Sequence, residues 1–351
     1  MITSILRYSG IAAKTRAMYG RRLRPQDFQA LLQAKNVDEV AAYLKNHPGY
    51  HDTMVAFAQS SIHRSALESL LREELSQEYA RLLGFLSGNQ QDFMNFWVHK
   101  LEIDEILYYL RLIISQRQQD YQPHMLPTIA RHSDIPLAEL QKPHDFPQLV
   151  ELLRPTRYYP LLQPFTRQPT LDYTHIELTL RSDYFRQLLR SCEKDLPPED
   201  SKILTQLVGG QIDLSNFAHL IRSKRFFHQP DEHIYTNLLP LTHRIDSAMI
   251  RRMVTAPTWE EAYDLIYETP YAKFFRQYHF DYVEQYFYRY TQVCARRILC
   301  TRQTGICIPF AFLMFKQLEV RTLTQIIEGI RYGVPGQEIA RNILGYKGGE
   351  E

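Results

Sequence analysis

The sequence predicts an all-α protein of three pseudo-repeated helical bundles. Apolar residues recur at helical spacing, and no convincing run of alternating strand pattern interrupts them. A second observation is a motif that occurs three times: an acid, a polar residue three positions on, an apolar stripe, then a charge. It reads Glu102, Glu105, Ile106, Tyr109, Leu110, Arg111; then Asp213, Asn216, Phe217, Leu220, Ile221, Arg222; then Glu319, Thr322, Leu323, Ile326, Ile327, Glu328. The starts lie 111 and 106 residues apart. A third observation keeps step with it. Tyr50, Tyr159 and Tyr271 close short Pro-containing stretches, 52, 54 and 48 residues before the three acids. Two marks in one phase indicate triplication of a unit of about 110 residues.

Taken in chain order, the first element is a basic segment. Arg7, Lys14, Arg16, Arg21, Arg22 and Arg24 precede any acid, the first being Asp27. The simplest reading is a helix with one solvated basic face; nucleic-acid or lipid-headgroup binding and a partner-facing helix are the sharper alternatives. Residues 54–85 carry helical spacing from Met54 through Leu67, Leu71 and Leu75 to Leu83, with a stop at Gly84 and at 87–89. Residues 103–114 repeat that spacing. Nine of the 19 prolines then fall between Pro123 and Pro169, a density that forbids long helices and predicts a connector holding short ones. Gly209-Gly210 reads as a helix-flanking turn, and a second break is expected from Gln229-Pro230 to Pro240. Residues 317–332 form the last strongly periodic stretch and stop at Gly333-Val334-Pro335-Gly336; the 345–351 tail is expected to fray. The expected bundles are therefore residues 1–130, 131–237 and 238–351.

Composition narrows the function. Hydrophobic content of 44%, charged content of 23% and a net charge of +2 describe an ordinary globular chain with no strong bias toward nucleic acid. The 23 Tyr and 18 Phe predict aromatic helix contacts. The opening residues lack the apolar run of a secretory signal. The most apolar stretch, Ile306 to Phe315, contains Pro309 and is too short to span a bilayer. Cys192, Cys294, Cys300 and Cys307 form no CxxC pair, and the His47/His51 and His228/His233 pairs lack supporting ligands, so no metal site is expected. No nucleotide-binding, metalloprotease or hydrolase signature is present; no catalytic residue and no cofactor are expected.

The motif's geometry constrains its charges. Its acid and second polar residue share a face with the apolar stripe. Its final charge is nine positions from the acid, half a turn out of phase and about 13.5 Å along the axis. Glu102 therefore cannot pair with Arg111, nor Asp213 with Arg222, inside one helix. The structural reading is that Glu102, Glu105, Arg111, Asp213, Asn216 and Glu319 clamp neighbouring helices; the functional reading is that some line a partner surface.

Four segments carry a family resemblance: Tyr8 to Leu23 (YSGIAAKTRAMYGRRL), Glu102 to Arg111 (EIDEILYYLR), Ile212 to Arg225 (IDLSNFAHLIRSKR) and Phe312 to Val334 (FLMFKQLEVRTLTQIIEGIRYGV). In their order and phase the chain resembles the C subunit of V-type and A-type rotary ATPases, whose eukaryotic relative is the d subunit of the vacuolar proton pump. The first copy departs from it with Glu105, where the family often shows Asn. The resemblance implies a funnel of three similar domains with pseudo-threefold symmetry and no active site. It implies a peripheral position on the cytoplasmic face of the membrane, between the proteolipid rotor ring and the central stalk, with no membrane span and no nucleic acid. Arg16, Arg21, Arg222, Lys224, Arg225 and Arg331 are the expected partner contacts. The alternative is a cytosolic helical-repeat scaffold for a protein or RNA.

Overall fold

The fold is described from a computed structural model covering residues 2–55, 62–168 and 170–343. All regular structure among the described residues is helical. Seven long helices carry it: α1 (Ile2–Gly20), α2 (Arg64–Leu83), α3 (Phe96–Ile114), α4 (Tyr173–Asp195), α5 (Pro198–Phe227), α6 (Glu284–Thr301) and α7 (Cys307–Arg331). Short helices fill the intervals.

Local sequence sets the helix ends. Asp172 caps α4 by accepting from the His175 N–H, and Asn36, Asp145, Asp246 and Thr258 cap shorter helices the same way. Helix α5 opens on Pro198, Glu199 and Asp200 and ends on Lys224 and Arg225, so its charges complement the macrodipole at both ends. His228 stops it in the left-handed region at φ 47°, with its N–H on the Ser223 carbonyl. Gly333, at φ 68°, makes the expected turn after α7.

Contacts divide the chain into two compact units. Unit 1 comprises residues 1–91 and 291–351. There α2 and α1 pack on α7, burying Leu67, Leu71 and Leu82 of α2 and Ile308, Phe312, Leu323 and Ile326 of α7. Each such side chain contributes about 1.5–3 kcal/mol of burial free energy. Unit 2 comprises residues 92–290, where α4 packs against both α3 and α5. Its 214–286 region is an aromatic core in which Phe275 stacks on Tyr286 at 3.9 Å and meets Phe217 edge-on at 5.4 Å.

Two expectations need correction. The 54–85 stretch is not one helix: Met54 lies in the short helix His51–Val55, Ile62 and His63 are non-helical, and α2 starts at Arg64; Phe57 and Ala58 lie outside the described residues. Gly209 and Gly210 flank no turn but sit inside α5. A Cβ on Gly209 would come within 2.3 Å of the His243 ring, and one on Gly210 within 2.2 Å of the Tyr290 hydroxyl, so close packing is what requires glycine. The apolar 306–315 stretch is the buried first part of α7, and Pro309 is tolerated because a first-turn N–H has no intrahelical partner. The Pro-dense region does hold only short helices, among them Phe146–Leu152 and Tyr159–Leu162, while the 345–351 tail lies outside the described residues.

Candidate functional site

The three repeated acids are buried, and each is the centre of a hydrogen-bonded cradle. Glu102 on α3 is fully buried. Its carboxylate accepts from the Ser133 hydroxyl at 2.7 Å, the Asp134 N–H at 2.5 Å and the Tyr158 hydroxyl at 2.5 Å. Asp213 on α5 accepts from three successive backbone N–H groups, of His243 (2.9 Å), Arg244 (2.7 Å) and Ile245 (3.2 Å), and from the Tyr271 hydroxyl at 2.8 Å. Glu319 on α7 accepts from the Leu23 N–H at 2.8 Å, the Tyr50 hydroxyl at 2.7 Å and the Lys316 ammonium at 2.8 Å. Every donor is satisfied by a charged acceptor away from water, the strong form of the bond. Burial first, and the facing carboxylate second, raise the Tyr158, Tyr271 and Tyr50 hydroxyls above their ordinary pKa.

The second polar residue extends two of the cradles. Glu105 accepts from the Tyr121 hydroxyl (2.7 Å) and the His124 and Met125 N–H groups (3.0 Å each). Asn216 accepts from the Leu239 N–H at 2.8 Å and donates to the Leu239 and Leu241 carbonyls. Thr322 instead bonds the Leu318 carbonyl of its own helix, and Lys316, 3.9 Å over the Tyr50 ring, supplies charge where the other cradles use loop backbone. In each copy the acid accepts hydrogen bonds from groups outside its own helix, several of them loop backbone N–H groups. The loop that ties down Glu102 and Glu105 is the Pro-rich stretch, which is therefore part of the first cradle.

The tyrosines pair in a different phase from the one their spacing suggested. Two follow their acids, Glu102 with Tyr158 and Asp213 with Tyr271, while Glu319 takes Tyr50 from the other end of the chain. The residue in the Pro-rich stretch is Tyr158; Tyr159 is half-buried and outside the cradle. The signal was present as an apolar-x-x-Thr-x-Tyr turn. Thr156 donates to the Leu153 carbonyl at 2.7 Å and accepts from the Tyr158 N–H at 3.2 Å; Thr269 does the same with Ile266 and Tyr271 at the same two distances. In the third copy His47 replaces Thr, its Nδ1 accepting from the Gly49 N–H. Two cradles thus draw acid and tyrosine from opposite sides of the 130/131 and 237/238 boundaries.

The motif's last charges leave their own helix face as geometry requires. Arg111 lies 5.7 Å over the Tyr173 ring, Arg222 pairs with Glu284 at 3.3 Å, and Glu328 pairs with Arg64. Arg16 is exposed and donates to the Arg302 and Gln303 carbonyls beyond the end of α6. Lys224 is half-buried between Asp231 (3.1 Å) and the Ala256 carbonyl (3.0 Å). Arg225 lies 4.5 Å over the Trp259 ring, Arg331 is exposed beside Tyr332, and Arg21 is half-buried. The structure brings Arg222, Lys224 and Arg225 together at the end of α5, next to the exposed Phe226 and Phe227. The sequence reading assigned no role to the buried Glu74 and Glu78 of α2, and it placed Lys316, which directly follows the apolar stretch, only within the segment that carries the family resemblance.

Among the described residues, one grouping places three possible cation ligands together: His99, Glu102 and Asp134. A guanidinium is already there. Arg157 lies 3.1 Å from His99 Nδ1 and 3.5 Å from the Asp134 carboxylate, and burial, then Arg157, lower His99 to about 4, leaving it neutral. His47 and His51 are likewise engaged locally, His51 with the Lys45 carbonyl at 2.7 Å. No described helix is long and apolar enough to cross a membrane.

Comparison with known proteins covers nearly the whole chain. The C subunit of the A-type ATP synthase of Archaeoglobus fulgidus is 24% identical over 267 residues, 73% of this chain and 74% of that protein. The corresponding C subunit of Methanosarcina mazei is 25% identical over 226 residues, 64% of this chain and 61% of that protein, and that of Methanosarcina acetivorans is 22% identical over 218 residues, 62% and 59%. The profile of the ATP synthase (C/AC39) subunit family matches residues 11–342. The chain belongs to the ATP synthase (C/AC39) subunit family.

Proposed function

We propose that the chain is a non-catalytic coupling subunit of a V- or A-type rotary ATPase, linking the central stalk to the proteolipid ring of the membrane sector. The observation that carries this reading is the family match over residues 11–342, in a chain whose repeated acids are all spent on holding loops to helices. Such a subunit does no chemistry; it transmits torque, and that needs stiffness. A buried carboxylate with three or more donors cannot shift without stranding them, so each cradle resists sliding of loop against helix.

In this proposal the three bundles follow the phase of the cradles. Each acid helix is grouped with the tyrosine turn that closes on it, and the third bundle joins α7 to residues 23–50. The threefold funnel and the peripheral place on the cytoplasmic face belong to the same proposal. The end of α5 is a proposed contact: Phe226 and Phe227 are more than half exposed and flanked by Arg222 and Arg225, an anchor-and-charge combination suited to a protein partner. Arg16, Arg21, Lys224 and Arg331 are the remaining proposed contacts.

Affinity purification of the tagged chain from mildly solubilised native membranes, with mass spectrometry, tests the reading. Recovery of a proteolipid, stalk subunits and nucleotide-binding subunits is expected. Recovery from the soluble fraction with none of these would replace it with a helical scaffold.

A further inference from the structure

Unit 1 buries more carboxylates than cations in one place. Glu319 is held by Leu23, Tyr50 and Lys316. Glu74 and Glu78, four residues apart on α2, are each only 3% exposed. Arg81 lies 3.4 Å from one and 3.6 Å from the other, and the Thr53 hydroxyl also donates to Glu74. Three carboxylates therefore face two cations, Lys316 and Arg81. Among the described residues, Glu78 Oε2 is buried with no hydrogen-bond partner, and the two carboxylates have only Arg81, within 3.6 Å of each, as a shared cation. Two ionised carboxylates are both acceptors and repel each other; one proton on Glu78 supplies a donor and cancels the excess charge.

We propose that Glu78 holds a proton beside Glu74, and that its loss is a pH-sensitive release of helix α2 from helix α7. The groups that face the pair come from every neighbouring element: Arg81 from α2 itself, Lys316 and Glu319 from α7, and Tyr50 and Thr53 from the 50–53 segment. Helix α1, also packed on α2, buries Tyr8, Ile11, Ala12 and Thr15, while its Lys14 and Arg16 reach the surface. Burial, with Glu74 adding to it, pushes the Glu78 carboxyl from 4.5 to about 7 against the pull of Lys316 and Arg81. Because the folded state binds the proton more tightly than the unfolded chain, the stabilisation is full below about pH 4.5 and is lost as pH rises through about 7.

The test is hydrogen exchange of the α2 and α7 amides in the full chain, in wild type, Glu78→Gln and Glu74→Gln, between about pH 5.5 and pH 8 with intrinsic exchange rates corrected. Wild-type protection is expected to fall about 30-fold across that range. Glu78→Gln, neutral at every pH and still a donor, is expected to hold its protection at the upper pH. In parallel, the infrared band of a protonated carboxyl in the wild type is expected to vanish between about pH 6 and pH 8. Equal pH dependence in wild type and Glu78→Gln, or the absence of a protonated carboxyl at about pH 6, would overturn the proposal. The outcome is independent of which complex the chain serves.

Discussion

Replacing Tyr271 by Phe removes one oxygen and keeps the ring. The ring is buried, edge-on to Tyr290 at 5.8 Å, so packing is unchanged and no water replaces the hydroxyl. What is lost is the 2.8 Å bond to Asp213. A hydrogen bond to a charged group is worth about 1.5–3 kcal/mol, so Tyr271→Phe is expected to cost about 2 kcal/mol. Asp213→Ala is expected to cost more, about 4 kcal/mol, because it strands three backbone N–H groups and a hydroxyl together. In the double variant the hydroxyl no longer has an acceptor to lose, so Tyr271→Phe should then cost nearly nothing, a coupling of about 2 kcal/mol. Urea unfolding, with exchange protection of α5 as the local readout, measures all four corners of the cycle. Tyr159→Phe is the control: half-buried and outside every cradle, it is expected to change stability by less than about 0.5 kcal/mol. An additive cycle, or equal costs for the Tyr271 and Tyr159 variants, would refute the cradle account.

Other outcomes follow from the same geometry. Gly210→Ala would drive a methyl into the Tyr290 hydroxyl and the ring carbons beside it, and an overpacking loss of about 1–3 kcal/mol is expected in thermal unfolding; Tyr290→Phe keeps those ring carbons and is expected not to restore stability, whereas Tyr290→Ala in the Gly210→Ala background should relieve the clash. The cradle tyrosines carry folded-state pKa values above their usual 10, so their stabilisation is intact below about pH 10 and lost as pH rises beyond it. An alkaline titration of stability should therefore fall less steeply in Tyr158→Phe than in wild type. Phe226→Ser with Phe227→Ser is expected to leave the unfolding midpoint unchanged while weakening recovery of the membrane complex at least tenfold, since both rings are exposed.

Much of this was legible in the sequence. Helical spacing gave the all-α class, and the recurrence of an acid with a polar residue three positions later marked the three places where loops are tied down. Proline density forecast the short helices between Pro123 and Pro169. What spacing could not supply was partnership in space. The constant distance from tyrosine to the next acid marked the repeat but named no bond, and the bonds run from acid forward to tyrosine and, for Glu319, back to Tyr50. Backbone donors such as the His243, Arg244 and Ile245 N–H groups carry no sequence signature at all. Gly209 and Gly210 misled because a glycine pair reads alike in a turn and in a tight helix crossing; only the positions of His243 and Tyr290 decide it. Lys316 and Glu319 stand one turn apart in the segment that carries the resemblance, but their use becomes apparent only with Tyr50 beneath them.

The most direct test of the coupling role is to measure ATP hydrolysis and ATP-driven ion uptake side by side in native membrane vesicles, with the chain present, depleted, and restored as purified protein. The account expects depletion to abolish uptake while hydrolysis by the detached catalytic sector persists, and restoration to recover uptake. Undiminished ATP-driven uptake in vesicles free of the chain would contradict it.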